Sequence, residues 1–300
     1  MPMDVSQVTI PDPVAWPETA AIVRGALQED VGAGDLTTAA LVPASAASGA
    51  VILARNRCVV SGTGVAAEVF RQVNSALVCR TVVKEGAIVA PGGVVMTVRG
   101  PAGAILTAER TALNLLQRMC GIATLTRRFV DAVAPMPVDI LDTRKTTPCL
   151  RRLEKYAVLC GGGRNHRMGL YDMVLIKDNH RRFWSGTGAL RLDRAVEEAR
   201  RRCPGVAVEI EVETEDELAN ALAARPDWVL LDNMPTAVMA RCVTMCRGIC
   251  RTEASGGVTL ETVAAIARTG VDAISVGALT HSAPAADLSL EIVDDEASAG

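Results

Sequence analysis

Basic residues are concentrated in one segment of this 300-residue chain. Residues 141–182 contain ten of the 31 lysines and arginines but only four acidic residues, whereas the whole chain has a net charge of −3. The same segment contains two of the three histidines, His166 and His180, and three successive glycines at 161–163. A local concentration of positive charge attracts anions, and a merely solvated face would not require the histidines. We therefore interpret the segment as part of a site for an anionic ligand.

Polar residues follow each short β-branched run in the second half of the chain. The runs begin near residues 138, 173, 206, 228, 249 and 273 and alternate with amphipathic stretches. This alternation predicts a parallel sheet covered by helices, either doubly wound or closed into a barrel. The polar groups at the ends of the runs are Asp142 with Arg144 and Lys145, Lys177, Glu211, Asp232, Ser255 with Gly256 and Gly257, and Gly277. Because the carboxyl ends of all strands meet on one face of an α/β barrel, we favour the barrel.

The first third of the chain has a different pattern. Short strands at 49–54, 78–83 and 94–98 are separated by Gly and Pro turns, and helices are predicted at 16–28, 65–73 and 104–133. Strands with helices on one side are typical of an α+β open-faced sandwich. We therefore expect an α/β protein with such a sandwich at residues 1–125, completed by the C-terminal segment 283–300, and an α/β barrel at residues 126–282.

Composition and missing motifs exclude several classes of protein. There is no GxxxxGK[ST] or GxGxxG pattern, so neither a P-loop nor a dinucleotide fold is indicated. The chain has only eight Phe, Trp and Tyr residues, too few for the stacking platforms of single-strand nucleic-acid binders. No apolar run is long enough for a membrane helix and no signal peptide is apparent. Nine scattered cysteines fit reduced thiols better than a disulfide framework, and we expect a cytoplasmic protein with neither nucleic acid nor membrane as partner.

Six motifs carry a resemblance to a known family. They are TRKTTPxLRxLEKYAV, GGGxNHRxGLxDxxLIKDNH, EIEVET, LLDNM, EASGGV and SVGALTHS. Together they resemble quinolinate phosphoribosyltransferase, also called nicotinate-nucleotide pyrophosphorylase (carboxylating), over the stretch from Glu29 to Leu290. The resemblance implies an incomplete, seven-stranded α/β barrel whose active site opens at the carboxyl face, against the N-terminal domain of a partner subunit.

The resemblance also implies roles for the cationic residues. The TRKT, NHR and IKDNH motifs would bind the two quinolinate carboxylates and part of the phosphoribosyl donor. Arg110, in AERTALN, is similar to an arginine donated across the interface of a homodimer, and assembly of dimers into a hexamer stays open. The residues assigned to the anion pocket on this basis are Arg144, Lys145, His166, Arg167 and Lys177.

The acidic and glycine motifs receive the remaining roles. Glu211 and Asp232 match the acids that contact the ribose hydroxyls and Mg²⁺ with its waters, so the implied cofactor is Mg²⁺. Ser255, Gly256, Gly257 and Gly277 match the cradle of the 5′-phosphate, which agrees with anion binding at helix starts. The implied catalytic residues are Lys145, Lys177, Glu211 and Asp232.

The reaction implied by the resemblance uses no covalent nucleophile. The ring nitrogen of quinolinate displaces pyrophosphate from phosphoribosyl pyrophosphate, and loss of the adjacent carboxylate as CO₂ gives nicotinate mononucleotide, a step of NAD biosynthesis. The alternative is a paralogous pyrophosphorylase-like protein associated with molybdenum transport. The full set of cations expected for a dicarboxylate argues against that alternative.

Two local expectations concern individual residues. The family usually has Gly where this chain has Cys149; because the position follows Pro148 and opens a helix predicted at 150–159, we expect a helical φ there. Five other cations are expected on solvated helix or loop surfaces, and Glu209, which shares an inward strand face with Glu211, could pair with Lys145 or Lys177. The five cations are Arg151, Arg152, Lys155, Arg181 and Arg182.

Overall fold

The computed structural model describes residues 12–184 and 191–293. The chain forms two compact units. Among the described residues, the N-terminal unit contains 12–127, Thr146–Gly162 and 280–293, and the barrel unit contains Arg128–Lys145 and Gly163–Leu279. The segment 146–162 therefore groups with the N-terminal unit, whereas the expected boundary at 125/126 assigned it to the barrel.

The helices and strands follow the alternation expected from the sequence. The helices are α1 (Pro17–Val31), α2 (Leu36–Leu41), α3 (Thr63–Val73), α4 (Ala102–Val133), α5 (Arg151–Cys160), α6 (Asp178–Trp184), α7 (Leu192–Arg202), α8 (Glu215–Leu222), α9 (Thr236–Cys246), α10 (Val263–Ala267) and α11 (Ala278–His281), with a 3-10 turn at Pro13–Ala15. The strands are β1 (Ala47–Ala54), β2 (Cys58–Val59), β3 (Val78–Thr81), β4 (Ile88–Val89), β5 (Val94–Pro101), β6 (Asp139–Leu141), β7 (Val174–Ile176), β8 (Val208–Val212), β9 (Trp228–Asp232), β10 (Arg251–Ser255), β11 (Ala273–Ser275) and β12 (Leu288–Val293).

The N-terminal unit is built on an antiparallel sheet. Within the described residues its strand order is β12-β1-β5-β3, and a separate short pair is formed by β2 and β4. Gly49 of β1 is opposite Val293 on one side and Arg99 on the other. Helix α3 contacts α1 and β3 and buries one apolar face that includes Phe70. The C-terminal segment thus supplies a strand to this sheet, while residues 1–11 and 294–300 of the expected sandwich lie outside the described residues.

The barrel unit is built on a parallel sheet. Among the described residues six strands pair in the order β6-β11-β10-β9-β8-β7, so the first strand of the unit lies next to the last. That order fits a sheet curled into a barrel and left open beside β7, because no pairing joins β6 to β7 in the described part of the chain. A seventh position is marked by the parallel bridge between Leu141 and Arg164. The expected open α/β barrel is confirmed, with its seventh strand reduced to this bridge.

Burial on both faces is common to the barrel strands. All five residues of β8 are buried, including both glutamates, which is typical of a parallel strand covered on both faces. The following helix α8 begins at a capping arrangement in which the Thr214 hydroxyl accepts from the Glu217 N–H at 3.2 Å. Strand β10 begins two residues later than expected and includes Glu253, because an inward polar residue interrupted the β-branched pattern.

Three expectations about single residues are wrong. Cys149 has φ 66°, so the chain makes a left-handed turn between Pro148 and α5 instead of starting the helix there. Lys155 is fully buried, since it lies on the inward face of α5. Arg181 is also buried, where its guanidinium forms an ion pair with Glu217 at 3.0 Å. Charge alone therefore did not identify the solvated face of these helices.

None of the helices in the described part of the chain combines the length and the apolarity that a membrane crossing requires.

Candidate active site

A cavity of about 350 Å³ opens at the carboxyl ends of the barrel strands. It has the size of a small-molecule site. The side chains around it come from the loop after β6, the segment after the Arg164 bridge, and strands β7, β9, β10 and β11. The lining residues are Thr143, Arg144, Lys145, His166, Arg167, Leu175, Lys177, Leu230, Glu253, Ser255 and Ser275. Six of the residues proposed from the sequence are therefore around one cavity: Arg144, Lys145, His166, Arg167, Lys177 and Ser255.

Two of the proposed acids lie at neighbouring strand ends. The Lys177 ammonium, just after β7, forms an ion pair with Glu211 of β8. Asp232 ends β9, opposite Ser255 of β10 in the register. Burial and the neighbouring charge of Glu211 raise the pKa of Asp232, while Lys145 and Lys177 counteract part of that increase. The structure thus brings Lys177, Glu211 and Asp232 into one electrostatic group.

The segment after the bridge is held by a buried acid. Asp142, which is fully buried, accepts hydrogen bonds from the Asn165 side chain at 2.6 Å and from the His166 N–H at 2.9 Å. The guanidinium of Arg167 donates to the carbonyl of Met173 at 3.2 Å. Burial and the nearby Arg144 lower the pKa of Arg167. Two guanidinium groups crowded in this way favour the binding of an anion between them.

A buried cluster lies below these cations. The Nε2 atom of His166 is 3.1 Å from Glu209 Oε2 and 3.2 Å from Glu253 Oε2. The three side chains line a second cavity of about 220 Å³, together with Asp139 and Trp228 at the amino ends of β6 and β9. The cluster is therefore the polar layer between the cavity at the carboxyl ends and the cavity at the amino ends of the strands.

Two influences on the His166 ring oppose each other. Burial lowers its pKa, but the two carboxylates outweigh burial and raise it to about 10. The N–H of Arg167, however, donates to Nδ1 at 2.7 Å, which leaves that nitrogen without a proton. We therefore assign the ring as the tautomer that carries its proton on Nε2 alone. Burial, followed by repulsion from Glu253, raises the pKa of Glu209 to about 7.

The glycines proposed for phosphate binding follow β10 and β11, Gly256 and Gly257 directly and Gly277 after one intervening residue. Gly256 has φ +97° and Gly257 has φ +57°, a backbone that side-chain-bearing residues rarely adopt. Gly277 follows β11 immediately before α11. Asn233, itself at φ 52°, donates from its amide to Asp232 Oδ2 at 2.8 Å. The turn after β9 and the turn after β10 therefore meet beside the proposed catalytic acid.

Arg110 belongs to the N-terminal unit, on α4. Its side chain is 58% exposed, and its contact with the neighbouring acid Glu109 is long, at 4.0 Å. The guanidinium is therefore available to bind an anion.

Several residues of the site were not proposed from the sequence. Glu253 and Thr143 line the cavity, as do Leu175, Leu230 and Ser275, and Asn233 binds Asp232 beside it. Glu253 had a detectable signal, because it stands two positions before Ser255 and strand alternation directs both side chains to the same face. Asn233 lies within the LLDNM motif, but its hydrogen bond to Asp232 could not be predicted, because it depends on a left-handed backbone conformation.

An open α/β barrel with a cationic cavity at the carboxyl ends of its strands defines an enzyme of the barrel class that handles anionic substrates. The family profile "Quinolinate phosphoribosyl transferase, N-terminal domain" matches residues 35–120, and that of the C-terminal domain matches residues 122–291. The chain belongs to the quinolinate phosphoribosyltransferase family.

Individual relatives agree over most of their length. The chain is 40% identical to the probable nicotinate-nucleotide pyrophosphorylase [carboxylating] of Bacillus subtilis, covering 88% of this chain and 90% of the relative. It is 41% identical to the chloroplastic nicotinate-nucleotide pyrophosphorylase [carboxylating] of Arabidopsis thaliana, covering 91% and 82%. The solved structure of the nicotinate-nucleotide pyrophosphorylase from Francisella tularensis superimposes with a TM-score of 0.86 at 37% identity, covering 92% and 96%.

Proposed function

We propose that the protein transfers the 5-phosphoribosyl group of phosphoribosyl pyrophosphate to the ring nitrogen of quinolinate and removes the adjacent carboxylate. The products are nicotinate mononucleotide, pyrophosphate and CO₂, so the protein is a nicotinate-nucleotide diphosphorylase (carboxylating) of NAD biosynthesis. The observation that carries this proposal is the convergence of Arg144, Lys145, Arg167 and Lys177 around one cavity beside Glu211 and Asp232. Family membership supports the same reaction.

The cationic side of the cavity suits a dianionic acceptor. Arginine binds a carboxylate through two parallel hydrogen bonds, whereas lysine acts as a point charge. Arg144 and Arg167 would therefore orient the quinolinate carboxylates, and Lys145 and Lys177 would neutralise the remaining charge. Holding the ring nitrogen against the anomeric carbon lowers the barrier by orientation.

The acidic side of the cavity suits the donor. As pyrophosphate departs, positive charge develops at the anomeric carbon, and fixed carboxylates nearby stabilise that charge. Glu211 and Asp232 are the residues for this task, with the ribose hydroxyls as their hydrogen-bond partners. Lys177 keeps Glu211 in place through the ion pair.

The same two acids are the proposed ligands of Mg²⁺, directly or through water. Carboxylate oxygens are the donors that this ion prefers, and the raised pKa of Asp232 reflects, besides burial, a repulsion from Glu211 that a cation would relieve. The bound ion would neutralise the pyrophosphate leaving group. The residues present therefore fit the cofactor.

The main experiment measures product formation directly. Purified protein with Mg²⁺ and phosphoribosyl pyrophosphate is expected to convert quinolinate to nicotinate mononucleotide with release of CO₂. Nicotinic acid, which lacks the second carboxylate, is the control acceptor. A preference for nicotinic acid would reject the carboxylating assignment.

The paralogue associated with molybdenum transport is not favoured, since the named relatives are pyrophosphorylases or phosphoribosyltransferases. The same product assay tests the choice, because formation of nicotinate mononucleotide from quinolinate is the activity that the carboxylating assignment requires.

The assembly proposed for the active enzyme is a homodimer, in which Arg110 of one subunit completes the anion site of its partner; a hexamer of three such dimers would keep the same interface. The exposed guanidinium of Arg110 supports this role. Mixed dimers of inactive Arg110→Ala and inactive Lys145→Ala subunits should recover activity in one of their two sites. Demonstrated heterodimers without activity would place Arg110 in the site of its own subunit.

The proposed location is the cytoplasm. All nine cysteines, each within the described part of the chain, are free, and free thiols are typical of a reducing compartment.

A further inference from the structure

The least explained part of the barrel interior is the pair of glutamates below the cavity. Glu209 and Glu253 are 1% and 2% exposed, and they come from β8 and β10, the two strands that flank β9. Burying two carboxylates side by side is costly unless they are neutralised and hydrogen-bonded. The proposed reaction assigns no role to either glutamate, so it does not explain why both are buried below the cavity.

Both carboxylates converge on one nitrogen. Oε2 of Glu209 and Oε2 of Glu253 lie 3.1 and 3.2 Å from Nε2 of His166. Their other oxygens, Oε1 in each case, have no hydrogen-bond partner among the described residues. Each carboxylate therefore directs one oxygen at the His166 imidazole and leaves the other oxygen without a partner among the described residues.

The opposite side of the ring connects to a cation of the cavity. Nδ1 of His166 accepts the N–H of Arg167 at 2.7 Å, and the Arg167 guanidinium lines the cavity. A ring that accepts at Nδ1 must carry its proton on Nε2, where the two glutamates are placed to receive it. The contacts thus run from β8 and β10 through the ring to the backbone of Arg167.

We propose that Glu253, together with Glu209, is a positioning residue for the acceptor half of the site: the two carboxylates fix the tautomer and orientation of His166, and the ring in turn fixes the peptide that carries Arg167. The inference rests on the proposed function for the identity of the acceptor. Partners that orient a functional histidine in this way are familiar from metal sites, where their removal costs roughly 10- to 100-fold in affinity or activity.

The first test compares two replacements of Glu253. Glu253→Leu keeps the volume but removes the acceptor for Nε2–H, and it should weaken quinolinate binding, measured by calorimetry, by roughly tenfold. Glu253→Gln keeps an acceptor oxygen and should recover most of that affinity. The KM for phosphoribosyl pyrophosphate should change much less than the KM for quinolinate in both variants.

A matched control separates positioning from stability. Glu68 on α3 is another buried acid, 4% exposed and paired with Arg71. Glu68→Leu should lower the melting temperature without a selective change in the KM for quinolinate. If Glu253→Leu and Glu68→Leu raised the KM values for quinolinate and phosphoribosyl pyrophosphate to the same extent, Glu253 would act only through stability. That result would overturn the inference.

A double-mutant cycle tests the path through the ring. If Glu253 acts through His166, Glu253→Leu should have no further effect on quinolinate affinity in a His166→Ala background. Additive losses would mean that Glu253 reaches the substrate by another route and would overturn the positioning role.

A spectroscopic test is independent of turnover. The chain has only three histidines, so ¹⁵N-histidine NMR can assign His166 by comparison with His166→Ala. The wild type should show a proton on Nε2 and none on Nδ1, and Glu253→Leu should change the Nε2 signal. If quinolinate is not turned over but this tautomer is observed, the proposed function fails while the positioning network stands.

Two further outcomes would overturn the network itself. One is a His166 ring protonated on Nδ1 in the wild type. The other is a stoichiometric divalent metal in the purified protein that is lost in both Glu209→Gln and Glu253→Gln, since the same three atoms lie close enough together to hold an ion.

Discussion

Asn233 and Gly256 approach so closely that a side chain at position 256 would have to displace the Asn233 amide. A Cβ atom there would lie 2.2 Å from Oδ1 of Asn233. The same carboxamide donates to Asp232, so the glycine makes room for the group that orients the proposed catalytic acid. The turns after β9 and β10 are therefore coupled by steric contact as well as by strand pairing.

Replacement Gly256→Ala should impair the enzyme through Asp232. The new methyl group must displace the Asn233 amide and remove its hydrogen bond to the carboxylate. We expect kcat/KM for phosphoribosyl pyrophosphate to fall on the order of a hundredfold, as a small misplacement of a catalytic group can cause. Steady-state kinetics at saturating quinolinate measures the effect.

Gly248→Ala is the matched control for that experiment. Gly248 has φ +72°, but no atom of the described residues lies within 4 Å of the point that a methyl group would occupy. The substitution should cost about 1–2 kcal/mol of stability from the left-handed backbone and leave kcat/KM unchanged. Equal kinetics for the two variants would contradict the steric coupling.

Lys177 should be essential for activity but of limited importance for stability. Its side chain is 40% exposed and paired with Glu211. Lys177→Met removes the charge from the cavity and should lower kcat/KM on the order of a hundredfold, the loss typical of one preorganised electrostatic contact. Arg182→Ala, at an exposed cation on α6, is the control and should behave as wild type. Normal kinetics in the Lys177→Met enzyme would show that Lys177 does not contribute to the active site.

Cys149→Gly should stabilise the protein. The cysteine is exposed and has φ 66°, so glycine would relieve left-handed strain while adding some entropy to the unfolded chain. The net gain should be about 0.5–1 kcal/mol, measured as a higher melting temperature. Cys203→Gly tests the reason, because Cys203 is also exposed but has φ −123°. That substitution should destabilise, and a stabilisation of both variants would contradict the backbone explanation.

Thiol reactivity should divide the cysteines by burial. Burial raises the pKa of Cys160 to about 12 and that of Cys79 to about 11, so both remain protonated and weakly nucleophilic at mildly alkaline pH. Cys149 and Cys203 are exposed and should be alkylated first by iodoacetamide. Peptide mass spectrometry over time measures the order, and rapid labelling of Cys160 in the folded protein would contradict it.

Much of the fold could be predicted because the local signals agree with one another. The strands of the barrel read as short β-branched runs, and the amphipathic stretches between them became α7, α8, α9 and α10. The cationic segment could be identified from charge alone. The pattern was less reliable at Glu253, a charged residue that lies inside β10 and faces the barrel interior. Its charge interrupted the β-branched run, so the start of β10 was predicted two residues too early.

Burial of single cations could not be predicted from the same pattern. Lys155 and Arg181 lie in a segment rich in positive charge, and both are buried. A helix in this segment presents one face inward whatever its composition. Which face of the helix is buried depends on the helices and strands that pack against it. The sequence of the segment itself does not specify those neighbours.

The order of strands and helices, the family, and the residue types available at each strand end all follow from the amino-acid chain. These properties are local, since they depend on periodicity and on motifs within about twenty residues. Which groups meet was settled by the folded arrangement instead. His166 and Glu209 are 43 positions apart, and the register of parallel strands, which no single segment contains, brings them and Glu253 to one layer of the barrel. The left-handed turn at Cys149 and the contact between Asn233 and Gly256 have the same origin, because a backbone conformation is selected by the packing around it.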